Sequence, residues 1–592
     1  MTDDLAETIS RQLLPYVSQP VQYVGLETNA RNKDVSAAEV AVAMAFPDAY
    51  QIGISHLGGQ VLYQMLNDTP GVACDRTYCP QADAERIMRA KGIPLFGWES
   101  RLPLGRFDVI GFSLAYEMCA TNVLTMLDLA GVPLRSCDRG DGCPLVIAGD
   151  AMADSPEPFA AFIDLFVLGD GEEPLAAIVE LIRRGKARQA SRRELLLQAA
   201  GTVPSVYVPA FYQPRRTPDG VQAGVEPVVE GLPRRIGRAS LANLSLSPAV
   251  TRPLVPLAEG VHDRVVIEIT RGCPNACRFC QAGAVRLPVR TRSVEEILAI
   301  ARQAVAATGY REISLLSLST SDYPRLDELI DRLNAELSPS HVSISLPSLR
   351  VDSQLRHLPR LTSTVRKAGL TIAAEAGSRR MRDAIGKRIS EEDMIAGVRG
   401  AYQAGWKRVK VYFMAGLPGE TAQDIDAIFE LCRKLSEAGK EALGRPGAIT
   451  ASVSWFVPKP HTPMQWCGMK PAEYLFQVRG RLKFLARGSA VSFKFHHVER
   501  SLLEAALCRG DRRIADVIEH AWRAGARMDS WNEHFDYNVW LSAFAQTGLS
   551  PAFFACQDLP TDQPTPWSHI DSPRGCKFLL AEHQRVQDAI VE

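Results

Sequence analysis

Residues 264–283 read RVVIEITRGCPNACRFCQAG. A β-branched apolar run ends in a turn that carries Cys273, Cys277 and Cys280 in the spacing C-x3-C-x2-C. Three thiolates on so short a loop wrap one compact metal centre. A closed zinc site takes four protein ligands, and no second C-x2-C or H-x3–5-H follows at a suitable distance. A [4Fe–4S] cluster takes one cysteine per iron, so three cysteines leave one iron open. Zinc, or three unrelated core thiols, are the competing readings. The position of this triple straight after a strand end argues against both.

The strand before the cysteines is the first of a series. EISLLSL (312–318), VSISL (342–346), LTIAAEA (370–376), VKVYFMA (409–415) and ITASVSWF (449–456) follow it. Helical patterns lie between them, for example VEEILAIARQAVAA (294–307) and IDAIFELCRKLSEAG (425–439). Six β/α units predict a partial, TIM-like (β/α)6 barrel over 261–488, with its chemistry at the C-terminal strand ends. Upstream, AEVAVAMAF (38–46), FDVIGFSL (107–114), PLVIAGD (144–150) and AFIDLFVLGDGEEPLAAIVELIRR again alternate strand, turn and helix. That predicts a doubly wound, Rossmann-like α/β domain over 1–200, with ligand-facing residues at Ser113, Gly149, Asp150, Gly169, Asp170 and Gly171. Proline-rich residues 201–260 read as a connector, and 489–592 as mainly helical. Six basic residues fall within Arg183–Arg193; the ordinary reading is a solvated helix end.

The cysteine loop resembles that of radical S-adenosylmethionine (SAM) enzymes, with Phe279 as the aromatic residue before the last cysteine. The resemblance implies that SAM chelates the open iron and is cleaved reductively to a 5′-deoxyadenosyl radical. It also names candidate SAM contacts. Ser319 and Thr320, in LSLSTSDYP (316–324), stand where the family holds the methionyl amine, although the usual Gly-Gly-Glu is absent. Glu375, in AAEAGSRRMRDAIGK (373–387), would meet the ribose or the amine, with a buried structural salt bridge as the alternative. Arg379 and Arg350 are candidates for the methionyl carboxylate. Gly416 and Leu417, in MAGLPGET (414–421), resemble the adenine turn. Lys459, His461 and Trp466, after the sixth strand, either face the site or pack.

The first domain resembles the cobalamin-binding domain of cobalamin-dependent radical SAM enzymes, through Gly149, Pro156-Glu157-Pro158, Asp164 and Gly169-Asp170-Gly171-Glu172-Glu173. One departure matters. A lower cobalt ligand comes from Asp-x-His-x-x-Gly, and here Ile54-Ser55-His56-Leu57-Gly58-Gly59 lacks the aspartate that would orient the imidazole. His56 therefore reads as a helix-start or surface residue in preference to a cobalt ligand. Over nearly the full chain, including WNEHFDYNVWLSAF (531–544) and PWSHIDS (566–572), the sequence is similar to an uncharacterised bacterial family of such proteins. His534, Asp536, Trp567, His569 and Asp571 either cap the site or are packing and surface residues.

The chain has 592 residues, 67 basic and 67 acidic, with 46% apolar and 23% charged residues. Disorder and a disulfide miniprotein are excluded. Thirteen cysteines, and no apolar segment at the acidic N-terminus or elsewhere long enough to span a bilayer, predict a cytoplasmic protein with no membrane partner. The expected function is radical SAM catalysis, with cobalamin-dependent methylation or rearrangement of an unknown substrate. The substrate is a small molecule or protein in preference to RNA, given zero net charge, and a flavodoxin or ferredoxin supplies electrons. Alternatives are RNA modification without cobalamin, or a non-catalytic cobalamin or iron–sulfur sensor. Methylthiotransferases add a second cysteine triple, and the first domain has only the loose pairs Cys74/Cys79 and Cys137/Cys143.

Overall fold

A computed structural model describes residues 2–217, 220–261, 263–347, 370–406 and 408–591. The first domain is a six-stranded sheet. Its strands are β1 (Val40–Phe46), β2 (Val72–Tyr78), β3 (Val109–Ser113), β4 (Leu145–Gly149), β5 (Leu165–Val167) and β6 (Val206–Tyr207). They lie in the order β2-β1-β3-β4-β5-β6, and only β6 is antiparallel. A parallel sheet sandwiched between helices buries both faces: β1, β3 and β5 carry almost no exposed residue. The order reverses between β1 and β3. In such sheets the crevice for ligand opens at the C-terminal ends on either side of that switch point. The sequence reading missed β2: VACDRTY carries Asp75 and Arg76 in a fully buried strand. Their charges are matched by Glu27 and Glu99 on Arg76, and by backbone N–H groups on Asp75.

A hairpin of β7 (Tyr212–Arg216) and β8 (Gln222–Pro227) fills part of the connector. The barrel follows. β9 (Val265–Glu268) leads to a short antiparallel pair, β10 (Thr270–Arg271) with β11 (Arg290–Thr291), that brackets the cysteine loop. The remaining strands are β12 (Glu312–Leu316), β13 (Ser343–Ser345), β14 (Leu370–Glu375), β15 (Arg408–Ala415), β16 (Ala448–Trp455) and β17 (Val491–Phe495). All six predicted strands are present. The sheet continues one parallel strand past residue 488, with β17 on β16. Among the described residues the strands form a three-stranded half, β13-β12-β9, and a four-stranded half, β14-β15-β16-β17. Local signals start the helices between them. Ser293 and Glu296 form a capping box for Val294–Thr308, which ends at a left-handed Gly309. Thr421 and Asp424 do the same for Ala422–Glu437.

The C-terminal helices tie the pieces together. Asp529 accepts from Thr121 and from the Trp540 indole. Arg512 pairs with Glu157. The three-stranded half keeps its own core, whereas the four-stranded half shares one with the first domain and the C-terminal helices. Among the described residues no helix is long and apolar enough to cross a membrane. The basic stretch 183–193 is partly structural: Arg192 is buried against Asp164 and the Cys143 carbonyl, and Arg183 pairs with Glu39 and Glu180.

Candidate functional site

Two cavities lie end to end where the strand ends of the two domains face each other. The first, about 420 Å³, is lined by Met44 of β1, Gly111–Ser113 of β3, Ile147–Asp150 of β4 and Val167 with Gly169–Glu172 after β5. These flank the switch point. Its other wall is the barrel: Glu268, Thr270–Gly272, Ala282, Arg286 and Leu316–Leu318. All six residues expected to face a ligand in this domain, Ser113, Gly149, Asp150, Gly169, Asp170 and Gly171, line it. Gly169 has φ +89°, and a Cβ there would stand 2.1 Å from the Ala239 carbonyl oxygen, so only glycine fits.

Much of the acidic turn has a second task. Asp170 binds Arg271 (3.1 Å), Arg290 and the Leu241 N–H, and Glu172 binds Arg271 (3.0 Å). Asp150 binds Arg286 at 3.1 Å. Three barrel arginines thus hold three first-domain carboxylates across the interface. His56 caps the helix Leu57–Asp68: its Nδ1 accepts from Gly59 N–H (3.1 Å), and its Nε2 is 3.2 Å from Asp150. Nδ1 accepts, so the ring proton sits on Nε2 and points at the carboxylate. Both nitrogens are engaged and neither is offered to a metal. Burial alone would raise the Asp150 pKa, but His56 and Arg286 outweigh it and hold it down to about 2.

The second cavity, about 890 Å³, contains Cys273, Cys277 and Cys280, with Phe279, Leu318, Ser319, Ala373, Glu375, Lys387 and Arg388. Gly272, at φ +90°, starts the loop against the Arg286 and Pro288 carbonyls. Cys280 caps the short helix Gln281–Val285, its Sγ accepting from Gly283 N–H at 3.4 Å. The loop is anchored by Arg278. Its N–H donates to the Ile385 carbonyl (2.9 Å), and its guanidinium reaches the Asp383 and Ala384 carbonyls and Glu582. Burial pushes the Cys277 thiol up to about 11, against the pull of Lys387. A metal centre that prefers thiolates offsets that cost. Among the described residues no three His, Cys, Asp or Glu side chains converge on one point as a single ion requires. Three thiolates on one loop match a cluster that takes one cysteine per iron and leaves one iron open.

The SAM candidates divide. Glu375 sits at a bulge with φ +68°, a strained backbone that turns its carboxylate into this cavity, 3.6 Å from Lys387. Burial raises its pKa. Ser319 lines the cavity and donates to Asp322 (2.6 Å). Phe279 lines it and packs on the core that holds Leu417. Four expected contacts do not line the cavity. Thr320 is fully buried and spends its hydroxyl on Ser317 and the Pro347 carbonyl, pinning β12 to the end of β13. Arg379 is 89% exposed and pairs with Asp383, because the first turn of its helix points it outward. Gly416 and Leu417 lie behind the wall: the Gly416 N–H donates to Glu420, and Leu417 packs with Val586. Arg350 lies outside the described residues.

The helix Gly575–Val591 was missed as a site element. It lays Phe578, Glu582 and Arg585 along this cavity, and Arg574 just before it also lines the wall. Glu582 bonding to Arg278 ties it to the cysteine loop. The signal was a charged, aromatic stretch near the C-terminus, with nothing local to say where it docks. Lys459, His461 and Trp466 pack: Lys459 joins Glu117 and Glu504, His461 meets the Asp154 carbonyl, and Trp466 stands edge-on to His583. Of the C-terminal candidates, Trp567 donates to Gln465, His569 is buried near Glu157, Asp536 caps the helix Tyr537–Gln546 and Asp571 pairs with Arg235. These four and His534 are absent from the linings of both cavities.

Residues 58–209 match the family described as radical SAM proteins, N-terminal, and residues 267–432 match the radical SAM superfamily. The chain is a radical SAM protein. An uncharacterized protein of Methanocaldococcus jannaschii is 29% identical over 298 residues, 49% of this chain and 62% of its own length. Ribosomal protein uS12 methylthiotransferase RimO of Pelotomaculum thermopropionicum is 26% identical over 265 residues, 43% of this chain and 53% of its own. The chain thus spans between about half and 62% of these relatives. Among solved structures, the methyltransferase TsrM of Kitasatospora setae has a TM-score of 0.45 at 15% identity, covering 72% of this chain and 75% of that one. OxsB, solved with aqua-cobalamin and SAM, has a TM-score of 0.46 at 12% identity, covering 93% and 80%. The radical SAM family implies a [4Fe–4S] cluster and SAM as cofactors, and Cys273, Cys277 and Cys280 carry its cysteine motif.

Proposed function

We propose that this radical SAM enzyme uses a corrinoid in the first cavity, beside the cluster cavity, to methylate or rearrange its substrate. The observation that carries this reading is the contiguity of the two cavities at Leu318, which lines both. Residues 270–272 wall one and the cysteines that follow wall the other.

The first cavity supports a large flat ligand. Its sheet side is apolar, through Met44, Phe112, Ile147, Ala148 and Val167, and glycines at the strand ends let the ligand approach the backbone. A whole cobalamin is larger than this space, so its periphery would project through the open side. His56 has both ring nitrogens engaged, so the apolar sheet side and the strand-end glycines, rather than a histidine, would hold the corrinoid. Cobalamin supplies a metal centre able to carry a methyl group, and the cluster with SAM supplies a radical able to abstract hydrogen.

The chain's own residues hold and position. Cys273, Cys277 and Cys280 would hold the cluster, and Glu375 with Ser319 would orient the SAM next to it. Phe279 and the helix Gly575–Val591 line the cavity and would bound the space open to SAM and substrate. The arginine pairs of Asp150, Asp170 and Glu172 fix the spacing of the two cavities.

The test is an anaerobic incubation with dithionite and SAM. The reading expects 5′-deoxyadenosine from the reconstituted protein, and S-adenosylhomocysteine when cobalamin and a methyl acceptor are added. Absence of 5′-deoxyadenosine from a protein with a full cluster would defeat it.

A further inference from the structure

Parallel sheets that are covered on both faces read as continuous apolar strands. The four-stranded half of this barrel does not. Its outward positions are apolar, such as Val409, Val411 and Phe413 on β15 and Ile449, Ala451 and Val453 on β16. Its inward positions are polar, and the strand register lines them up in rows. Thr371, Lys410, Thr450 and Ser492 form one row, and Ala373, Tyr412, Ser452 and Lys494 the next. Ala373 and Glu375, at the near edge, line the cluster cavity. The plate therefore continues the cavity's wall into the barrel.

Two cations, Lys410 and Lys494, stand on this plate. Among the described residues, neither Lys410 nor Lys494 has a carboxylate partner. Two carboxylates of the barrel and the helix after it are matched to other cations: Glu375 to Lys387, and Glu504 to Lys459. Lys410 stands on a central strand, so protection of a sheet edge does not account for it. Its Nζ is 2.7 Å from the Tyr412 hydroxyl and 4.6 Å from the ring centroid. Strands lie about 4.8 Å apart and rows about 6.6 Å apart. The two lysine Cα atoms are thus about 12 Å apart on one face, and their long flexible stems can bring both ammonium groups to one anion. Across three strand spacings, the far edge of the plate is about 14 Å from Glu375.

We propose that this plate is a substrate subsite: Lys410 and Lys494, with Tyr412 between them, bind a carboxylate or phosphate on a small polar substrate. The other end of that substrate lies at Glu375 and Ala373 beside the cluster. The hydroxyls of Thr450, Ser452 and Ser492 supply hydrogen bonds along its length. This inference rests on the radical SAM reading and names the chemical class of the substrate.

The test is calorimetric titration of the reconstituted full-length protein, with SAM present at saturation so that its own carboxylate site is filled. The probes are citrate and inorganic pyrophosphate, which separate a carboxylate preference from a phosphate one. The wild type is expected to bind at least one of them. K410M/K494M should weaken that binding tenfold or more, and each single variant threefold or more. K440M, an exposed lysine elsewhere, should leave it unchanged. Iron content is measured on every variant, and if the double variant loses its cluster, the single variants decide. Binding of neither probe by the wild type, or equal binding by the lysine variants, would overturn the subsite. Failure to assemble iron in the wild type would instead overturn the radical SAM reading, because probe binding and iron content are read separately.

Discussion

Asp150→Asn tests the latch between the two domains. Asp150 is part-buried, sits at φ +77° and accepts from Ala151 N–H at 2.8 Å, with His56 at 3.2 Å and Arg286 at 3.1 Å. Its carboxyl is held at about 2 against an ordinary 3.8. That difference corresponds to about 2 kcal/mol of stability carried by the ionised form. A depressed carboxyl contributes fully above pH 3.8 and loses the contribution as pH falls through 2, with about half gone near pH 3. Asparagine keeps the size and an acceptor for Ala151 but removes the charge. The substitution should cost about 2 kcal/mol at pH 7, read as a lower guanidinium midpoint for the transition that exposes the first domain. The gap should shrink between pH 4 and pH 3. An unchanged midpoint at pH 7, or a gap that persists undiminished at pH 3, would refute the assignment of the latch to this charge.

Three further outcomes are expected. Glu420 is desolvated, which outweighs its bonds from the Gly416 and Leu417 backbone and the Tyr474 hydroxyl, and its carboxyl is raised to about 7. A raised carboxyl stabilises the fold below its ordinary 4.5 and loses that as pH rises through 7, so Glu420→Gln should gain up to about 3 kcal/mol above pH 7 and nothing below pH 4.5; a gain independent of pH in parallel melts would contradict this. Gly169→Ala should cost about 3 kcal/mol in denaturant unfolding, because φ +89° and the Ala239 carbonyl both exclude a Cβ. Cys277→Ala should abolish the broad visible absorbance of the reconstituted cluster, and retention of the wild-type spectrum would show that this thiol is not a ligand.

Much of this architecture is legible in the sequence because it rests on local pattern. The cysteine loop is contiguous, the barrel strands are β-branched runs between well-capped helices, and Gly149 and Gly169 mark strand ends. The misses are long-range. β2 escaped because Asp75 and Arg76 look like surface residues until Glu27 and Glu99 arrive from distant segments. Thr320 and Arg379 sit close to true cavity positions in the chain, and a short step along a turn or helix reverses where a side chain points. The arginine pairs across the interface, and the docking of the helix Gly575–Val591 over the cysteine loop, join residues about a hundred positions apart or more. No period or spacing announces them.

The central claim is that one chain holds a cluster and a corrinoid in adjoining but separate cavities. The most direct measurement is the metal content of protein reconstituted with iron, sulfide and hydroxocobalamin and then desalted. Four irons and one cobalt per chain are predicted, with Cys277→Ala losing the iron and keeping the cobalt. One iron per chain, or no retained cobalt, would contradict the account.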